Sequence, residues 1–402
     1  MPLGLYLSVP FCRTKCTYCN FASDVFSRAV FTRYVDRLCA DIHTTPETAL
    51  QMGGRLETDV DSLYLGGGTP TILDSQQLER LFVMVKQQFR LQPETEITVE
   101  CAPGTLTPEV LETLLRCGVN RVSLGVQSFV DQEAASVGRL HKRATALEDV
   151  VRLRRAGISN INIDLIAGLP HQTAASWQES VESVITLGVP HASVYMLEVD
   201  EDSRLGRELI AGGTKYHAHF VPDEELTADL YEAACERLNA AGIAQYEISN
   251  FAREGFASRH NLKYWTRQPY LGFGVDAHSM LKSSGEDLDA VRFSTPDALE
   301  SYVCRAPLSR TEVSRQAALE ESFFLGLRLN AGIDLEKLRS RFGAFVATPL
   351  RNALVDLTGA GVIEWDGDCV RLTARGRLLS NEVFERFLAC EAGTPTARHQ
   401  QT

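Results

Sequence analysis

The feature that most restricts the possible folds of this chain is the alternation of short β-rich runs with helical patterns over residues 1–200. Amphipathic stretches separate the β-rich runs, and one of them follows Asp74, a residue typical of a helix N-cap. The six runs are LYLSV from Leu5, SLYLG from Ser62, EITVE from Glu96, RVSLGV from Arg121, INIDLI from Ile161 and ASVYML from Ala192. Strands that alternate with helices pair in parallel. This alternation therefore predicts an α/β fold, either a partial (β/α)6 barrel or a flat doubly wound sheet.

Polar residues and glycines stand at the carboxyl ends of these predicted strands. The run GGGTP follows the second strand, Glu100 ends the third, Gln127 follows the fourth, and Asp164 lies toward the end of the fifth. Functional residues of a (β/α) barrel gather at this end of the strands. The pattern is typical of the barrel, although a flat sheet has the same order of elements.

After residue 200 the strict alternation ends. Residues 201–305 combine an amphipathic helix, DEELTADLYEAACERLNAAG, with a loop-rich aromatic segment, and we interpret them as an α+β extension. Residues 306–390 show helical patterns and then two β-rich runs around Asp366-Gly367, a hairpin signal, which predicts a small winged-helix-like domain. The tail 391–402 has little apolar content and is predicted to be flexible.

Charge and hydropathy narrow the classes of function. The 402 residues include 40 basic and 52 acidic side chains, and the net charge of −12 argues against a nucleic-acid partner. No apolar run approaches the roughly 20 residues that a membrane-spanning helix needs, and the start of the chain resembles a first strand rather than a secretory signal. We therefore expect a cytoplasmic protein without an integral membrane segment. Its ten cysteines are then free thiols or metal ligands.

Three cysteines stand close together in PFCRTKCTYCNF, at Cys12, Cys16 and Cys19. Thiolates suit zinc or iron–sulfur clusters. A structural zinc site needs four protein ligands, and Cys39 and His43 on one face of a predicted helix can complete it. A four-iron cluster on three thiolates instead leaves one iron open. The spacing alone leaves both metals possible, and also a group of buried cysteines.

The order C-x3-C-x-aromatic-C, with Tyr18 as the aromatic residue, resembles the radical S-adenosylmethionine (SAM) superfamily. The resemblance implies that Cys12, Cys16 and Cys19 hold a [4Fe-4S] cluster and that the amino and carboxylate groups of SAM chelate its fourth iron. One βα unit later, YLGGGTPT resembles the superfamily's motif for the SAM amino group. Glycines there let the backbone approach a ligand closely. The two motifs together favour the cluster over zinc.

Further residues of this chain resemble the motifs of the branch of the superfamily that contains oxygen-independent coproporphyrinogen oxidase. The similarity implies a set of SAM contacts close to the strand ends. They are Tyr6, Tyr18, Gly67, Gly68, Thr69, Pro70, Glu100, Gln127, Arg139 and Asp164. Carboxylates can accept hydrogen bonds from the ribose hydroxyls or the ammonium group of SAM, and Arg and Gln can bind its carboxylate.

Differences in sequence distinguish the oxidases of this branch from its haem chaperones. The oxidases carry a further cysteine shortly after the triad and an arm ahead of the first strand, whereas this chain has Phe21 at that position and begins its first strand almost at once. The segment RHNLKYW resembles instead the H-N-x-x-Y-W motif of HemW-type haem chaperones, and the resemblance implies haem ligation by His260. Imidazole is a ligand of haem iron. His278 in GVDAHSM is a second candidate.

The resemblance implies a haem chaperone that holds a cluster and SAM and passes haem to an acceptor haemoprotein, for example a respiratory one. The alternative is an oxygen-independent coproporphyrinogen III oxidase, which uses radical SAM chemistry to decarboxylate porphyrin precursors. A zinc-binding interaction protein is the third hypothesis. It leaves GGGTP, Glu100 and Gln127 without a role.

Overall fold

The computed structural model describes residues 1–343 and 348–388, so the predicted tail at 391–402 lies outside the described residues. The chain divides into two compact units. The first comprises Met1–Tyr264 and Gln268–Val313, and the second comprises Trp265–Arg267 and the residues from Ser314 onward. No helix within the described ranges combines the length and the apolar character needed to cross a membrane.

Six parallel strands in chain order form the centre of the first unit. They are β1 Leu3–Val9, β2 Asp59–Gly67, β3 Arg90–Cys101, β4 Arg121–Gln127, β5 Asn160–Ala167 and β6 His191–Met196. The connecting helices are α1 Arg28–His43, α2 Thr45–Met52, α3 Ser75–Gln88, α4 Pro108–Cys117, α5 Asp131–Ser136, α6 Arg143–Arg155 and α7 Ala174–Leu187. All six β-rich runs of the sequence are strands, as predicted.

Local sequence explains where these helices begin and which face they bury. The Asp74 side chain accepts a hydrogen bond from the Gln77 amide (2.8 Å), and the Gln77 side chain accepts one from the Asp74 amide (3.2 Å), which closes a capping box at the start of α3. One face of α3 buries Leu78, Leu81, Phe82 and Val85. Each of these side chains contributes about 1.5–3 kcal/mol by burial.

Strands from the extension enlarge the same sheet on both sides. The additional elements are α8 Arg204–Ile210, α9 Glu224–Ala240, β7 Ala244–Gln245, β8 Asn250–Ala252, α10 Arg259–Trp265, β9 Tyr270–Phe273, β10 His278–Lys282, β11 Leu288–Ser294, α11 Leu299–Val303 and β12 Ser309–Ser314. The order in the sheet is β12-β11-β10-β9-β1-β2-β3-β4-β5-β6-β8-β7. Strand β9 pairs in parallel with β1, while β8 and β10 pair antiparallel with their neighbours.

The prediction of a loop-rich segment at residues 249–280 left out the short regular elements that it contains. This segment contains β8, α10, β9 and the start of β10. Strand β9 has only four residues, and its hydrogen-bonding partner, Gly4–Leu7, lies at the other end of the unit's sequence. A short strand with a distant partner has almost no local signal, because its stability depends on the neighbours it meets after folding.

The second unit is a small helical unit with a three-stranded antiparallel sheet, in the order β13-β15-β14. Its elements are α12 Arg315–Gly326, β13 Ile333–Asp334, α13 Leu335–Phe342, α14 Thr348–Gly359, β14 Ile363–Asp366, β15 Cys369–Leu372, α15 Ala374–Leu378 and α16 Ser380–Leu388. The predicted hairpin is confirmed, and Gly367 adopts the left-handed φ of +59° in its turn. Three helices followed by a hairpin match the expected winged-helix-like arrangement.

Candidate functional site

The loop that carries the three cysteines starts directly after β1 and is closed by backbone and lysine hydrogen bonds. The Cys12 amide donates to the Asp24 carbonyl oxygen (3.0 Å). The Lys15 ammonium donates to the carbonyl oxygens of Phe21 and Ser23, both at 2.6 Å. The loop backbone is thus fixed by its own polar groups, and the thiols are left for other contacts.

Neighbouring elements hold this cysteine loop from a second side. The Thr17 amide donates to the Val137 carbonyl oxygen after α5 (3.1 Å), and the Leu205 amide in α8 donates to the Thr17 carbonyl oxygen (2.8 Å). The Arg204 guanidinium donates to the Lys15 carbonyl oxygen. The loop therefore has the support that a preorganised ligand set needs.

The thiols suit an iron–sulfur cluster better than a single ion. In the described ranges no three His, Cys, Asp or Glu side chains converge on a position for one metal ion. A four-iron cluster does not require such convergence, because each thiolate binds a different iron. Cys39, the proposed fourth zinc ligand, is buried on α1 with its sulfur 4.0 Å from the Arg80 carbonyl oxygen. The donor set of Cys12, Cys16 and Cys19 fits the cluster.

The glycines after β2 pack against the end of β1 so closely that a side chain would not fit. A Cβ on Gly68 would lie 2.7 Å from the Val9 carbonyl oxygen and 2.8 Å from that of Phe11. Gly67 has a φ of +95°, in the region that favours glycine. The amides of Gly68 and Thr69 donate to the Val9 and Phe11 carbonyl oxygens (2.9 and 2.8 Å). This contact brings the glycine turn to the base of the cysteine loop.

The turn continues through Thr69 and Pro70, the two other predicted SAM contacts of the motif. The Thr69 hydroxyl lies 3.9 Å from the Cys12 sulfur. Pro70 is buried at the start of a single 3-10 turn that extends to Ile72. The turn and the first cysteine are therefore direct neighbours.

Glu100 at the end of β3 is a partly desolvated carboxylate between these elements. Its Oε1 accepts a hydrogen bond from the Tyr64 hydroxyl (2.8 Å), and its Oε2 accepts one from the Gly67 amide (3.2 Å). Burial raises the pKa of Glu100 to about 7 despite these two hydrogen bonds, and the nearby Asp164 carboxylate adds to the increase. A cationic ligand beside Glu100 would favour its ionised form.

Gln127 and Arg139 present unpaired polar atoms at the end of β4. A Cβ on Gly125 would lie 2.8 Å from Arg139 Nη2 and 3.1 Å from Gln127 Nε2, so both side chains cover this glycine. Gln127 is only 7% exposed and its Oε1 has no hydrogen-bond partner, and Arg139 Nε has none either. Buried polar atoms without partners are costly, and these two are available for hydrogen bonds to a polar ligand.

The side chains of Asp164 and Tyr18 already have partners within the protein. Asp164 accepts hydrogen bonds from Asn162 Nδ2 (2.7 Å) and Ser123 Oγ (3.1 Å), and burial raises its pKa. Tyr18 packs against an apolar cluster that includes Val137, and burial raises its pKa as well. Asp164 lies near the end of β5, and Tyr18 lies in the cysteine loop itself.

The predicted haem ligand, His260, lies in the interior and not at the surface. It is 1% exposed, with Nδ1 3.1 Å from the Ser62 hydroxyl and Nε2 2.8 Å from the Tyr264 hydroxyl. Its ring stacks on Tyr64 (centroids 5.3 Å apart), and Tyr64 stacks on Tyr6 (6.0 Å). Tyr6, another predicted SAM contact, is thereby connected to the motif that contains His260.

Burial lowers the pKa of His260 to about 3, and the charges of Lys263 and Arg121 add to this effect. The neutral ring has one donor and one acceptor, and both are used in this structure. Iron can reach His260 only if one of its two hydrogen bonds opens. His278, the second candidate, is exposed on β10, with Nε2 3.8 Å from an Asp276 oxygen.

Comparisons with known proteins match almost the whole chain. Family models for the radical SAM superfamily and for the HemN C-terminal domain match residues 6–184 and 313–379. The protein named Heme chaperone HemW of Bacillus subtilis is 34% identical over 391 residues, which cover 95% of this chain and 98% of that protein. The protein of the same name from Lactococcus lactis is 32% identical and covers 96% and 97%. The chain belongs to the HemW family of radical SAM proteins.

A solved structure supports the fold of this HemW-family chain. Coproporphyrinogen III oxidase (HemN) from Escherichia coli matches with a TM-score of 0.80 at 25% identity, over 96% of this chain and 90% of that chain. The predicted α/β fold with a small additional C-terminal domain is therefore confirmed.

Sequence reasoning missed a polar network inside the sheet of this HemW-family member. Arg121 is 2% exposed at the start of β4, and its charge offsets a small part of the increase that burial causes in the pKa of Glu100 and Asp164. Asn162 Nδ2 also donates to Ser193 Oγ (3.0 Å), beneath the predicted SAM contacts. Alternate residues of a barrel strand face the interior. The polar residues at every second position of NINID were the signal for this network.

Proposed function

We propose that the chain is a haem chaperone that binds a [4Fe-4S] cluster and SAM and delivers haem to an acceptor haemoprotein. The observation that carries the proposal is the similarity to proteins named Heme chaperone HemW, at 32–34% identity over at least 95% of this chain and of those proteins. The second unit and the extension are thus included in the similarity together with the cysteine loop. The cytoplasm, a reducing compartment, is the location that we propose with this function.

In this proposal Cys12, Cys16 and Cys19 hold the cluster, and the strand ends hold SAM. When bound, the cluster supplies an electron donor and one iron that SAM chelates. The Glu100 carboxylate accepts hydrogen bonds from the cofactor, and the cationic cofactor stabilises its ionised form. Gln127 Oε1 and Arg139 Nε, which have no partner within the protein, supply polar contacts.

Visible absorption of the wild type and of two variants tests the cluster. Anaerobic reconstitution with iron and sulfide is expected to give broad visible absorption that disappears in Cys16→Ser. Cys39→Ser is the matched control, since Cys39 is also buried but belongs only to the zinc hypothesis. A colourless reconstituted protein with bound zinc would contradict the proposal.

The proposed haem ligand is His260, in a conformation in which the Tyr264 hydroxyl no longer bonds to Nε2. Tyr6 and Tyr64 then supply aromatic faces beside the imidazole. Haem titration of the full chain, followed by transfer to an apo-haemoprotein, tests the function itself. We expect tight binding and transfer by the wild type. A protein that binds no haem, or binds haem and does not release it to an acceptor, would refute the chaperone proposal.

The similarity to the HemN structure supports a second candidate, the oxygen-independent coproporphyrinogen III oxidase. Phe21, which stands where that enzyme group has a further cysteine, argues against it. The discriminating experiment is anaerobic incubation of the reconstituted protein with dithionite, SAM and coproporphyrinogen III. We expect no protoporphyrinogen, and stoichiometric conversion would favour the oxidase.

A further inference from the structure

A cluster of exposed imidazole and aromatic rings lies outside the predicted cofactor contacts. It consists of His171, in the loop after β5, and of Tyr216, His217, His219 and Phe220, in the segment between α8 and α9. We call these five residues the histidine patch. All four residues of the second segment are exposed, and Phe220 keeps 47% of its surface accessible. An aromatic side chain this exposed beside three imidazoles is not explained by packing of the core.

Specific contacts build the histidine patch. The His171 amide donates to the Phe220 carbonyl oxygen (3.0 Å), which joins the two loops. His171 Nε2 lies 3.1 Å from His217 Nδ1, within hydrogen-bonding distance. The Phe220 ring is 4.0 Å from the rings of both His171 and His219, measured between centroids. The rings therefore form one continuous group and not a set of independent surface residues.

The backbone adopts unfavourable conformations to present these rings. His171, Tyr216 and His217 have φ values of +68°, +54° and +61°. They account for three of the seven non-glycine residues with positive φ in the described part of the chain, and Gln127 of the cofactor site is another. Such conformations cost about 1–3 kcal/mol each and concentrate at binding sites. The strain therefore points to a function for this patch.

We propose that the histidine patch is a haem-binding site in which His217 Nε2 ligates the iron, His171 orients the His217 ring, and Phe220 contacts the macrocycle. The proposal rests on the proposed function and adds a second site, on the surface, at which haem binds first. His260, which is buried and has both nitrogens engaged, remains the proposed ligand once its hydrogen bond to Tyr264 opens.

The hydrogen bond between the two imidazoles prepares His217 for this role. When His217 Nδ1 donates to His171 Nε2, the other nitrogen of His217 carries a free electron pair for iron. Within the described ranges His217 Nε2 makes no hydrogen bond. His171 Nε2 accepts this hydrogen bond in the tautomer that carries its proton on Nδ1.

The patch fits haem better than a bare metal ion. No three potential ligand side chains converge on one ion position in the described residues. Haem needs only one protein ligand here, because its macrocycle already supplies four nitrogens. A flat apolar macrocycle also uses the exposed face of Phe220, which a hydrated ion would not.

One side chain connects the patch to the cysteine loop. The Arg204 guanidinium lies 5.6 Å from the centre of the Tyr216 ring and also donates to the Lys15 carbonyl oxygen of that loop. Haem bound at His217 is thus close to residues that support the proposed cluster. An ordered cysteine loop keeps Arg204, and through it the segment with His217, in position.

The experiment is a titration of the reconstituted full chain with ferric haem, with the Soret band as the readout. We expect His217→Ala to raise the Kd about tenfold or more, a loss of at least about 1.4 kcal/mol. Added imidazole should restore the wild-type spectrum of this variant, an effect that a merely structural role would not give. His171→Ala should weaken binding less, and His171→Gln, which keeps a hydrogen-bond acceptor, should recover most of the affinity. His43→Ala, another exposed histidine, is the matched control.

The outcomes separate this inference from the function on which it rests. If His260→Ala abolishes haem binding while His217→Ala does not change the Kd or the Soret band, the histidine patch is not the site and the chaperone function stands. If the wild type binds haem through His217 but never passes it to an acceptor, the site stands and the chaperone function fails. No haem binding by the wild type would refute both.

Discussion

Replacing Glu100 by glutamine is expected to change how the stability of the apo-protein depends on pH. The pKa of Glu100 is about 7 in the folded chain, and its ordinary value is 4.5. Between pH 4.5 and 7 the folded carboxyl group keeps a proton that the unfolded chain has released, so the free energy of unfolding falls as pH rises. Below this interval both states are protonated, and above it both are ionised. Integrated from pH 5 to pH 8, the change is at most about 2.5 kcal/mol.

Urea unfolding of wild type and Glu100→Gln at several values between pH 5 and pH 8 measures this effect. Fluorescence of Trp177, which is 1% exposed in the first unit, reports the transition. Glutamine does not titrate, so the unfolding free energy of the variant relative to wild type should increase by about 2–2.5 kcal/mol from pH 5 to pH 8. The exposed Glu109 provides the control variant Glu109→Gln.

Parallel pH profiles for wild type and Glu100→Gln would refute this reasoning, because they would mean that the carboxylate is as well solvated in the folded chain as in the unfolded one. A pH-independent offset in addition to a pH-dependent difference is compatible with the reasoning, since it reflects the altered hydrogen bonds to Tyr64 and Gly67. In the cluster-loaded protein, saturating SAM is expected to reduce the pH dependence of the wild type. A cation beside the carboxylate favours its ionised form.

Three further substitutions test other parts of the structure. Gly68→Ala would place a Cβ 2.7 Å from a backbone oxygen and should abolish SAM binding in equilibrium dialysis, whereas Gly359→Ala in α14, with no atom within 4 Å of its Cβ position, should leave SAM affinity intact. Arg139→Lys should raise the SAM Kd about tenfold, because lysine cannot reproduce the guanidinium fork; an unchanged Kd would remove Arg139 from the site. Lys263→Met breaks a buried ion pair with Asp61 (2.6 Å) and should lower the unfolding free energy by about 3 kcal/mol. A Lys263→Met/Asp61→Asn double variant should recover part of this loss, and purely additive effects would show that the pair does not interact.

The parallel strands could be predicted from sequence because their signal is local. Each of the six strands is rich in β-branched residues and leucine and is flanked by helical patterns. The six strands also stand in the sheet in the same order as in the chain. The predicted cofactor contacts came from the resemblance to the radical SAM superfamily, and the rule that the ends of parallel strands meet at one edge agrees with them. Glu100 and Gln127 both stand at such strand ends, and their contact with SAM stays a prediction.

The surroundings of His260 could not be predicted in this way. The motif gives the identity of the residue, but its burial depends on Ser62 in β2 and on the stacking of Tyr64, which are far away in the sequence. The histidine patch was missed for a similar reason. His171 and His217 are 46 residues apart and meet only because the chain returns to the end of β5 after α8.

The pairing of β9 with β1 also has a consequence for how the protein is made. Strand β1 leads into the cysteine loop, yet its hydrogen bonds on one side come from Tyr270–Phe273. At about 5–20 residues per second, a ribosome needs on the order of ten seconds or more to reach β9 after β1 has emerged. During that time the edge of β1 has unpaired backbone groups, which are a template for aggregation. Nascent chains that stop before residue 270 are therefore expected to need protection by other proteins, and cluster insertion is expected to follow completion of the sheet.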